Sequence, residues 1–329
     1  MAEKPHILVT GGAGYIGSHM TLALLAAGER PLVLDNLSTG FRSAVPAEVP
    51  FFEGDSGDAA FVDAILDRQP VEAIIHFAAS IVVPESVSHP LAYYRNNTVN
   101  TRSLIDGAVR HRIPHFVFSS TAAVYGEPQS LPIAEDQPLA PINPYGRSKL
   151  MVEWMLEDTA RAQPITYAAL RYFNVAGADP GGRAGQSTPN ATHLIKIAVQ
   201  AALGKRNGMD VLGTDYPTAD GSCIRDYVHV SDLAQAHLDA LAYLRRGGES
   251  LACNIGYNAG YSVIEVVEVV KRVSGVDFEV RLKGRRAGDP ASLVASNQRA
   301  KSKLGWIAQY DDLETIVRHA LDWERKLPV

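Results

Sequence analysis

The stretch that most limits how this chain can fold is Ile7-Leu8-Val9-Thr10-Gly11-Gly12-Ala13-Gly14-Tyr15-Ile16-Gly17. Its first four residues read as a strand buried on both faces, and therefore as a parallel strand. The glycines make a tight turn, and the apolar helix that follows stops at Gly28. Strand, Gly-rich turn and helix in that order aim backbone N–H groups at a helix N-terminus, where a pyrophosphate can sit. The spacing is G-x-x-G-x-x-G, one residue longer than G-x-G-x-x-G. A Gly-rich loop alone is weak evidence, because many such loops are only turns. Here Leu32-Val33-Leu34-Asp35 strengthens it, since a second strand ends in an acid eighteen residues after Gly17. A carboxylate at that place accepts from adenosine ribose hydroxyls and repels a 2′-phosphate, so NAD is favoured over NADP. On its own, Asp35 could equally be a turn residue before Asn36.

The alternation continues down the chain. Phe51 to Asp55 reads as a third strand, Asp58 to Arg68 as a helix, and Ala73 to Phe77 as a fourth strand. Tyr93 to Arg112 reads as a helix and His115 to Ser119 as a fifth strand. Repeated βαβ units predict an α/β fold with a doubly wound, Rossmann-type parallel sheet. Ligands on such sheets lie outside the carboxyl ends of the strands. Asp35, Asp55, Phe77-Ala78-Ala79 and Ser119-Ser120-Thr121 all fall at that edge. The small residues Ala78 and Ala79 let backbone approach a ligand there. His76 reads as a core histidine rather than a catalyst.

The 329-residue length allows this domain and a second lobe. We expect residues 1–175 to form the NAD-binding domain and 176–329 a smaller mixed α/β substrate lobe. Segments near 230–270, among them Leu251 to Ile255, are expected to return to the sheet. From Ala178 to Pro189 the chain is rich in Gly, Pro and polar residues and reads as a loop leaving the sheet. After it come a helix over 190–203 and short strands at Val211-Leu212 and Cys223 to Val230. Helices from Leu233 to Arg245 and Ser262 to Val273 complete the reading. A net charge of −5 gives no reason to expect a nucleic-acid partner. Cys223 and Cys253, with no C-x-x-C, form neither a zinc motif nor a disulfide framework. No metal site is expected. No apolar run approaches a membrane span, and no signal peptide precedes the first strand, so a cytoplasmic protein is expected.

Asn143-Pro144 starts another helix, with an N-cap Asn and Pro at the first helical position. It carries Tyr145-Gly146-Arg147-Ser148-Lys149, and residues four apart share a helix face. A free phenol titrates near ~10 and is a poor base, but a neighbouring ammonium favours phenolate. Tyr145 and Lys149 therefore make a plausible proton-transfer unit. Alone, Y-x-x-x-K more often marks a surface helix with a half-buried Tyr. Behind a nucleotide-binding half, and with Thr121 placed to meet Tyr145, the catalytic reading gains weight.

Taken in order, these motifs resemble the extended short-chain dehydrogenase/reductase family of nucleotide-sugar enzymes. Within it, the resemblance is to the branch that epimerises UDP-hexoses at C4. Arg171-Tyr172-Phe173-Asn174-Val175-Ala176-Gly177, Gly213-Thr214-Asp215-Tyr216-Pro217-Thr218, Arg225-Asp226-Tyr227-Val228-His229-Val230 and Arg285-Arg286-Ala287-Gly288-Asp289 carry that narrower likeness. The family's dehydratases place Asp-Glu after the strand-five hydroxyl, whereas here Ala122 and Ala123 stand there, which argues against dehydration. The resemblance implies reversible oxidation at sugar C4 with NAD, which would interconvert UDP-glucose and UDP-galactose. Tyr145 would exchange the 4-hydroxyl proton, Lys149 would hold the cofactor ribose and lower the Tyr145 pKa, and Thr121 would bond the reacting oxygen. For the cofactor it implies Gly11, Gly14, Tyr15, Ile16 and Gly17 in the loop. Asp35, Asn36, Leu37, Ser38, Thr39 and Gly40 would follow strand two. Asp55, Ser56, Phe77, Ala78, Ala79, Asn96 and Phe173 would complete the set with Tyr145 and Lys149. Ile81 stands where some members carry a cofactor-touching Lys, so no contact is assigned to it.

For the UDP-sugar the resemblance implies Thr121, Tyr145, Asn174, His193, Leu194, Arg225, Arg286, Asp289 and Leu293. Arg225 and Arg286 would take the diphosphate, for which Arg offers bidentate donors. Asp289 would take the uridine ribose, and Leu293 is the residue that limits pocket size beside the sugar. Leu is intermediate in size, so use of N-acetylated UDP-hexoses stays open, as does use of UDP-hexuronates. A non-catalytic NAD-sensing protein is the reading from another class. Apolar residues circle most of the helix over Leu150 to Leu156, wider than the ~100° stripe one core face needs. With the segment near 93–112, as the family implies, this predicts a homodimer.

Overall fold

The computed structural model describes residues 4–189, 191–286 and 290–328. The chain opens with β1 (His6–Thr10), α1 (Tyr15–Ala26), β2 (Pro31–Asp35), β3 (Phe51–Glu53), α2 (Ala59–Leu66) and β4 (Val71–His76). There follow α3 (Val83–Ser88), α4 (Pro90–Tyr93), a π-helical turn over Tyr94–Val99, α5 (Asn100–Arg110) and β5 (His115–Thr121). Next are α6 (Pro144–Ala162), β6 (Thr166–Tyr172), β7 (Asn174–Ala176), α7 (Leu194–Ala202), β8 (Met209–Leu212), β9 (Ile224–Arg225) and β10 (Tyr227–His229). The chain ends with α8 (Val230–Arg245), β11 (Leu251–Ile255), β12 (Tyr261–Ser262), α9 (Val263–Ser274), β13 (Val280–Lys283), β14 (Ser292–Leu293) and α10 (Leu313–Lys326).

Seven strands pair in the order β11-β6-β5-β4-β1-β2-β3. Every pairing in that sheet is parallel. Strands such as β1, β2 and β5 are buried on both faces, which is why they read as continuous apolar runs, whereas edge strand β3 is half-buried to exposed. On one face, Met20 and Leu24 of α1 and Leu233, Leu241 and Leu244 of α8 pack on Ile7, Val9 and Val117. On the other, Val62 of α2, Leu104 of α5 and Val152 and Leu156 of α6 pack on Leu8, Ile74, Phe116 and Phe118. The strand order reverses between β1 and β4, and it is outside the carboxyl edge at such a reversal that these sheets form their ligand crevice.

The helix starts follow their caps. The Asn143 side chain accepts from Gly146 N at 2.9 Å, with Pro144 at the first position. Ser262 and Glu265 form a capping box for α9, which ends at Gly275 in the left-handed region. β11 joins β6, as the sequence led us to expect. The helix expected over 93–112 is instead α4, a π turn and α5. The strand expected over 223–230 splits at Asp226, and α8 starts at Val230, three residues before the expected Leu233. His229 is the N-cap of α8: its side chain accepts from Ser231 N.

A second body of chain covers the carboxyl edge. It holds β12-β9-β14, β13-β8 and β10-β7. Its core is Ile195, Ala198 and Val199 of α7, Val266, Val267 and Val270 of α9, and Ile316, Val317 and Leu321 of α10. Asp226 is a node of this region. Its carboxylate accepts from the backbone N–H groups of Tyr257 at 2.9 Å, and of Asn258 and Ala295 at 3.2 Å. Burial nevertheless pushes the Asp226 carboxyl up to about 7 against those three donors.

Candidate active site

The glycine turn after β1 is held against the turn after β4. Phe77 N donates to Thr10 O at 2.9 Å. Gly11 adopts φ +73°, and a Cβ there would stand 2.6 Å from Ala78 N. A Cβ on Gly17 would stand 2.1 Å from Gly11 O. These two positions require glycine because backbone packs directly on backbone. No side chain caps Gly14 at the start of α1, so first-turn N–H groups of Tyr15, Ile16 and Gly17 are oriented for an anion. Asp35 Oδ2 accepts from Ala13 N at 2.9 Å and Oδ1 from Leu37 N at 2.8 Å. The acid thus fastens the second strand to the glycine turn, and each oxygen keeps a further lone pair.

The rest of the expected cofactor set surrounds this turn. Asn36 Oδ1 accepts from Ser38 N at 3.1 Å, and Phe41 N donates to Ala13 O at 3.0 Å. Ser38, Thr39 and Gly40 therefore fold back over the glycine loop. Asp55 accepts from Gly57 N at 2.8 Å and Asn100 Nδ2 at 3.2 Å, beside buried Ser56. Asn96, in the π turn, donates to Ser80 Oγ at 3.0 Å, directly after Ala78 and Ala79. The Tyr15 side chain goes elsewhere: its hydroxyl donates to Gly177 O at 2.7 Å in the second body. Ile16 packs into the core below the sheet. For these two residues only the backbone faces the turn. The glycine packing, the uncapped helix start and the acid at the β2 end together fit a dinucleotide.

Across the crevice, α6 brings Tyr145 over the end of β5. Tyr145 and Thr121 share a hydrogen bond. Lys149 is 2% exposed. Its Nζ donates to Ser119 O at 2.8 Å and lies 4.9 Å from the Phe118 ring centroid. Burial raises the Tyr145 phenol, and the Thr121 bond opposes it. Lys149 is itself pushed down to about 7 by burial, with Glu153 acting against that. Tyr172, on β6, hydrogen-bonds Ser119 Oγ, and burial with Tyr145 nearby pushes its phenol up. Next to this group, Phe173 and Leu293 pack on a cluster of Val124, Tyr125, Ile133 and Leu150.

Asn174, Gly177, His193, Leu194 and Tyr227 line one cleft in the second body. Gln186 Nε2 lies 2.7 Å from His193 Nδ1, and burial lowers the His193 pKa. Arg225 is buried on β9, in register with Leu293 on β14. Its Nη1 donates to Ile224 O at 2.7 Å. Arg286 is exposed, and Asp289 lies outside the described residues. The structure therefore joins Asn174, His193 and Leu194 in one place and Arg225, Leu293 and Phe173 near another. Sequence reasoning placed Ser119 at the ligand edge without a role and gave none to Tyr172 or Glu153. Glu153 carries a legible signal, four residues beyond Lys149 on one helix face. The Ser119 contribution is a backbone carbonyl, which no side-chain motif encodes. Among the described residues no cluster of His, Cys, Asp and Glu could hold a metal.

The model of the NAD dependent epimerase/dehydratase family matches residues 7–256. A UDP-glucose 4-epimerase of Azospirillum brasilense is 56% identical, over 99% of this chain and 94% of its own. The crystal structure of UDP-glucose 4-epimerase from Brucella ovis in complex with NAD superposes with a TM-score of 0.94 at 47% identity, covering 97% of this chain and 98% of that one. The UDP-Glc/GlcNAc 4-epimerase of Campylobacter jejuni superposes at 0.86 with 49% identity, covering 98% of this chain and all of its own at 100%.

Proposed function

The chain belongs to the NAD dependent epimerase/dehydratase family, and from that premise we propose that it interconverts UDP-glucose and UDP-galactose by reversible oxidation at sugar C4. The observation that carries this reading is the Tyr145–Thr121 hydrogen bond at the carboxyl edge of a dinucleotide-binding sheet. The relatives named above support the choice of substrate. Residues 1–175, with β11 and α8 added, form the NAD domain, and the remainder of 176–329 holds the UDP-sugar.

NAD, when bound, supplies reversible hydride acceptance at C4; the protein supplies the proton chemistry and the alignment. Tyr145 Oη takes the 4-hydroxyl proton as C4 becomes a ketone and returns it on reduction. Thr121 Oγ1 orients that oxygen. The proton goes to the phenolate form of Tyr145, which burial disfavours, so a cation beside it is needed. The Lys149 ammonium, one helical turn away, supplies it and stabilises the negative charge that Tyr145 carries until it takes the proton. Gly11, Gly17 and Asp35 hold the dinucleotide, with Asn96 and the 77–79 turn along its path. Arg225 and Arg286 supply cations for the diphosphate. Asn174, His193 and Leu194 contact the sugar nucleotide. Inversion requires the ketone to present its other face, so the sugar subsite has to be looser than the nucleotide subsite.

A panel of UDP-galactose, UDP-N-acetylgalactosamine and UDP-galacturonate, with product identified by NMR, tests the reading. Conversion of the first is expected, and failure with all three sinks it. The Campylobacter jejuni neighbour favours a second reading, in which the N-acetylated sugar is also a substrate. Leu293, half-buried beside Phe173, is the residue on which that choice turns.

The same chain forms a homodimer in the cytoplasm in this account. Val87 (64% exposed), Leu91 (80%), Val99 (54%) and Trp154 (52%) lie on α3, α4, the π turn and α6, and α3 and α4 pack against α6. A patch of large exposed apolar residues on adjoining helices calls for a partner surface. Sedimentation at micromolar protein should give twice the chain mass; a monomer would refute the dimer.

A further inference from the structure

Beyond Tyr145 and Lys149, α6 carries one more ionisable group in the series, Glu153, which is 5% exposed. Residues 145, 149 and 153 follow one another at helical four-residue spacing. The Glu153 carboxylate accepts from Arg171 Nε at 3.1 Å to each oxygen, and from Arg171 Nη2 at 2.6 Å. It also accepts from Ser120 Oγ. Arg171 Nη1 donates to the Tyr125 hydroxyl at 2.9 Å, and Tyr125 donates in turn to Asn254 Oδ1 at 2.8 Å. Removing a carboxylate and a guanidinium from water is costly, and apolar residues could join α6 to the sheet here. Val152 and Leu156 do so in the same helix. The charge pair therefore calls for a role beyond packing.

Its position supplies one. Ser120 stands between Ser119, whose carbonyl accepts from Lys149, and Thr121, which shares a hydrogen bond with Tyr145. The charged and titratable groups around Lys149 come from three elements besides Glu153: Tyr145 on α6 itself, His76 on β4, and Arg171 with Tyr172 on β6. His76 is kept neutral by burial and by Lys149, its pKa pushed down to about 3. Tyr172 is held protonated by burial. Glu153 is the negative charge that bears on Lys149.

We propose that Glu153 is a positioning residue for this reaction: its buried carboxylate keeps Lys149 an ammonium beneath Tyr145 and, through Ser120, fixes the end of β5 that carries Thr121. The inference rests on the epimerase reading above. Burial drives the Lys149 ammonium toward the neutral amine, and Glu153 opposes it. Tyr145 and Lys149 pair on one face of α6, a helical turn apart. Loss of a nearby negative charge moves every ionisation in that pair to lower pH.

The test compares wild-type holoenzyme with Glu153→Gln and Glu153→Asp, measuring kcat/KM for UDP-galactose across the working pH range. Glu153→Gln should move at least one limb of the profile to lower pH by about 1 unit, with KM little changed. Glu153→Asp, which keeps the charge, should bring the limb back toward the wild-type position. A Gln profile with both limbs in the wild-type place, whether scaled down or unchanged, overturns the proposal. Should Glu153→Gln fail to fold, Arg171→Gln carries the test: it leaves the Glu153 carboxylate without its cation, so the limb is expected to move to higher pH, and wild-type limbs again overturn the proposal. Failure of the wild type to convert UDP-galactose would instead sink the functional reading, so the two failures are separable.

Discussion

The two walls of the crevice are held by different means. The dinucleotide wall is the edge of one continuous parallel sheet, and its shape is fixed mainly by backbone, Gly11 against Ala78 and Gly17 against Gly11 O, with the Asp35 carboxylate adding two N–H bonds. The opposite wall stands on strands of two to four residues, β8, β9, β10 and β14. Buried carboxylates hold it instead. Asp226 ties β9 to the segments at 257 and 295. Asp232 accepts from the backbone N–H groups of Gln309 and Tyr310 and from the Tyr257 hydroxyl. Lys196 and Lys205 both meet Glu324, which fastens α7 to α10. A wall fixed by backbone tolerates few sequences, whereas one fixed by individual side chains can change its ligand by changing a few of them.

Substitutions in the two walls should therefore fail in different ways. The largest effect is expected where the walls meet. Tyr145→Phe should lower turnover by a factor on the order of 10³ while UDP-sugar binding, read by calorimetry, stays within a few-fold. Retained turnover would remove Tyr145 from the proton role. Gly17→Ala drives a Cβ into Gly11 O. It should abolish NAD retention through purification and lower NAD affinity by about 100-fold or more, because backbone on both sides has no room to yield. Normal NAD content in that variant would break the contrast between the walls.

On the other wall, Glu324→Gln leaves Lys196 buried beside a neutral amide. It should cost roughly 3 kcal/mol of stability in denaturant unfolding, with NAD content unchanged. Loss of NAD there would show that the walls are not independent. The smallest effect is expected at Leu293. Leu293→Ala should raise kcat/KM for UDP-N-acetylgalactosamine relative to UDP-galactose by about 10-fold, the scale on which apolar pockets discriminate. An unchanged ratio would place the size limit elsewhere.

The same contrast explains what the sequence disclosed. Apolar runs ending in Gly, Asp or Ser recur through the first half because a sheet buried on both faces admits little else. The sheet, its crevice and the meeting of Thr121 with Tyr145 were legible for that reason. The second wall was not, because β9 and β14 are two residues long and carry no period. Nothing in Tyr94 to Val99 marks a π turn, since its residues suit an α-helix equally well. The motif gives Tyr145 its neighbour Lys149 without giving the burial that raises the phenol. Glu153 was within reach of helical spacing, but its partners Ser120 and Arg171 come from two strands that only the fold brings together.

The central claim is that hydrogen leaves sugar C4 and comes back to the same carbon without passing through water. The direct test is to incubate the purified protein, with no NAD added, with UDP-galactose carrying deuterium at C4, and to follow the product by NMR. The account predicts UDP-glucose with deuterium kept at C4. Solvent hydrogen at C4, or no conversion by protein that carries NAD, would contradict it.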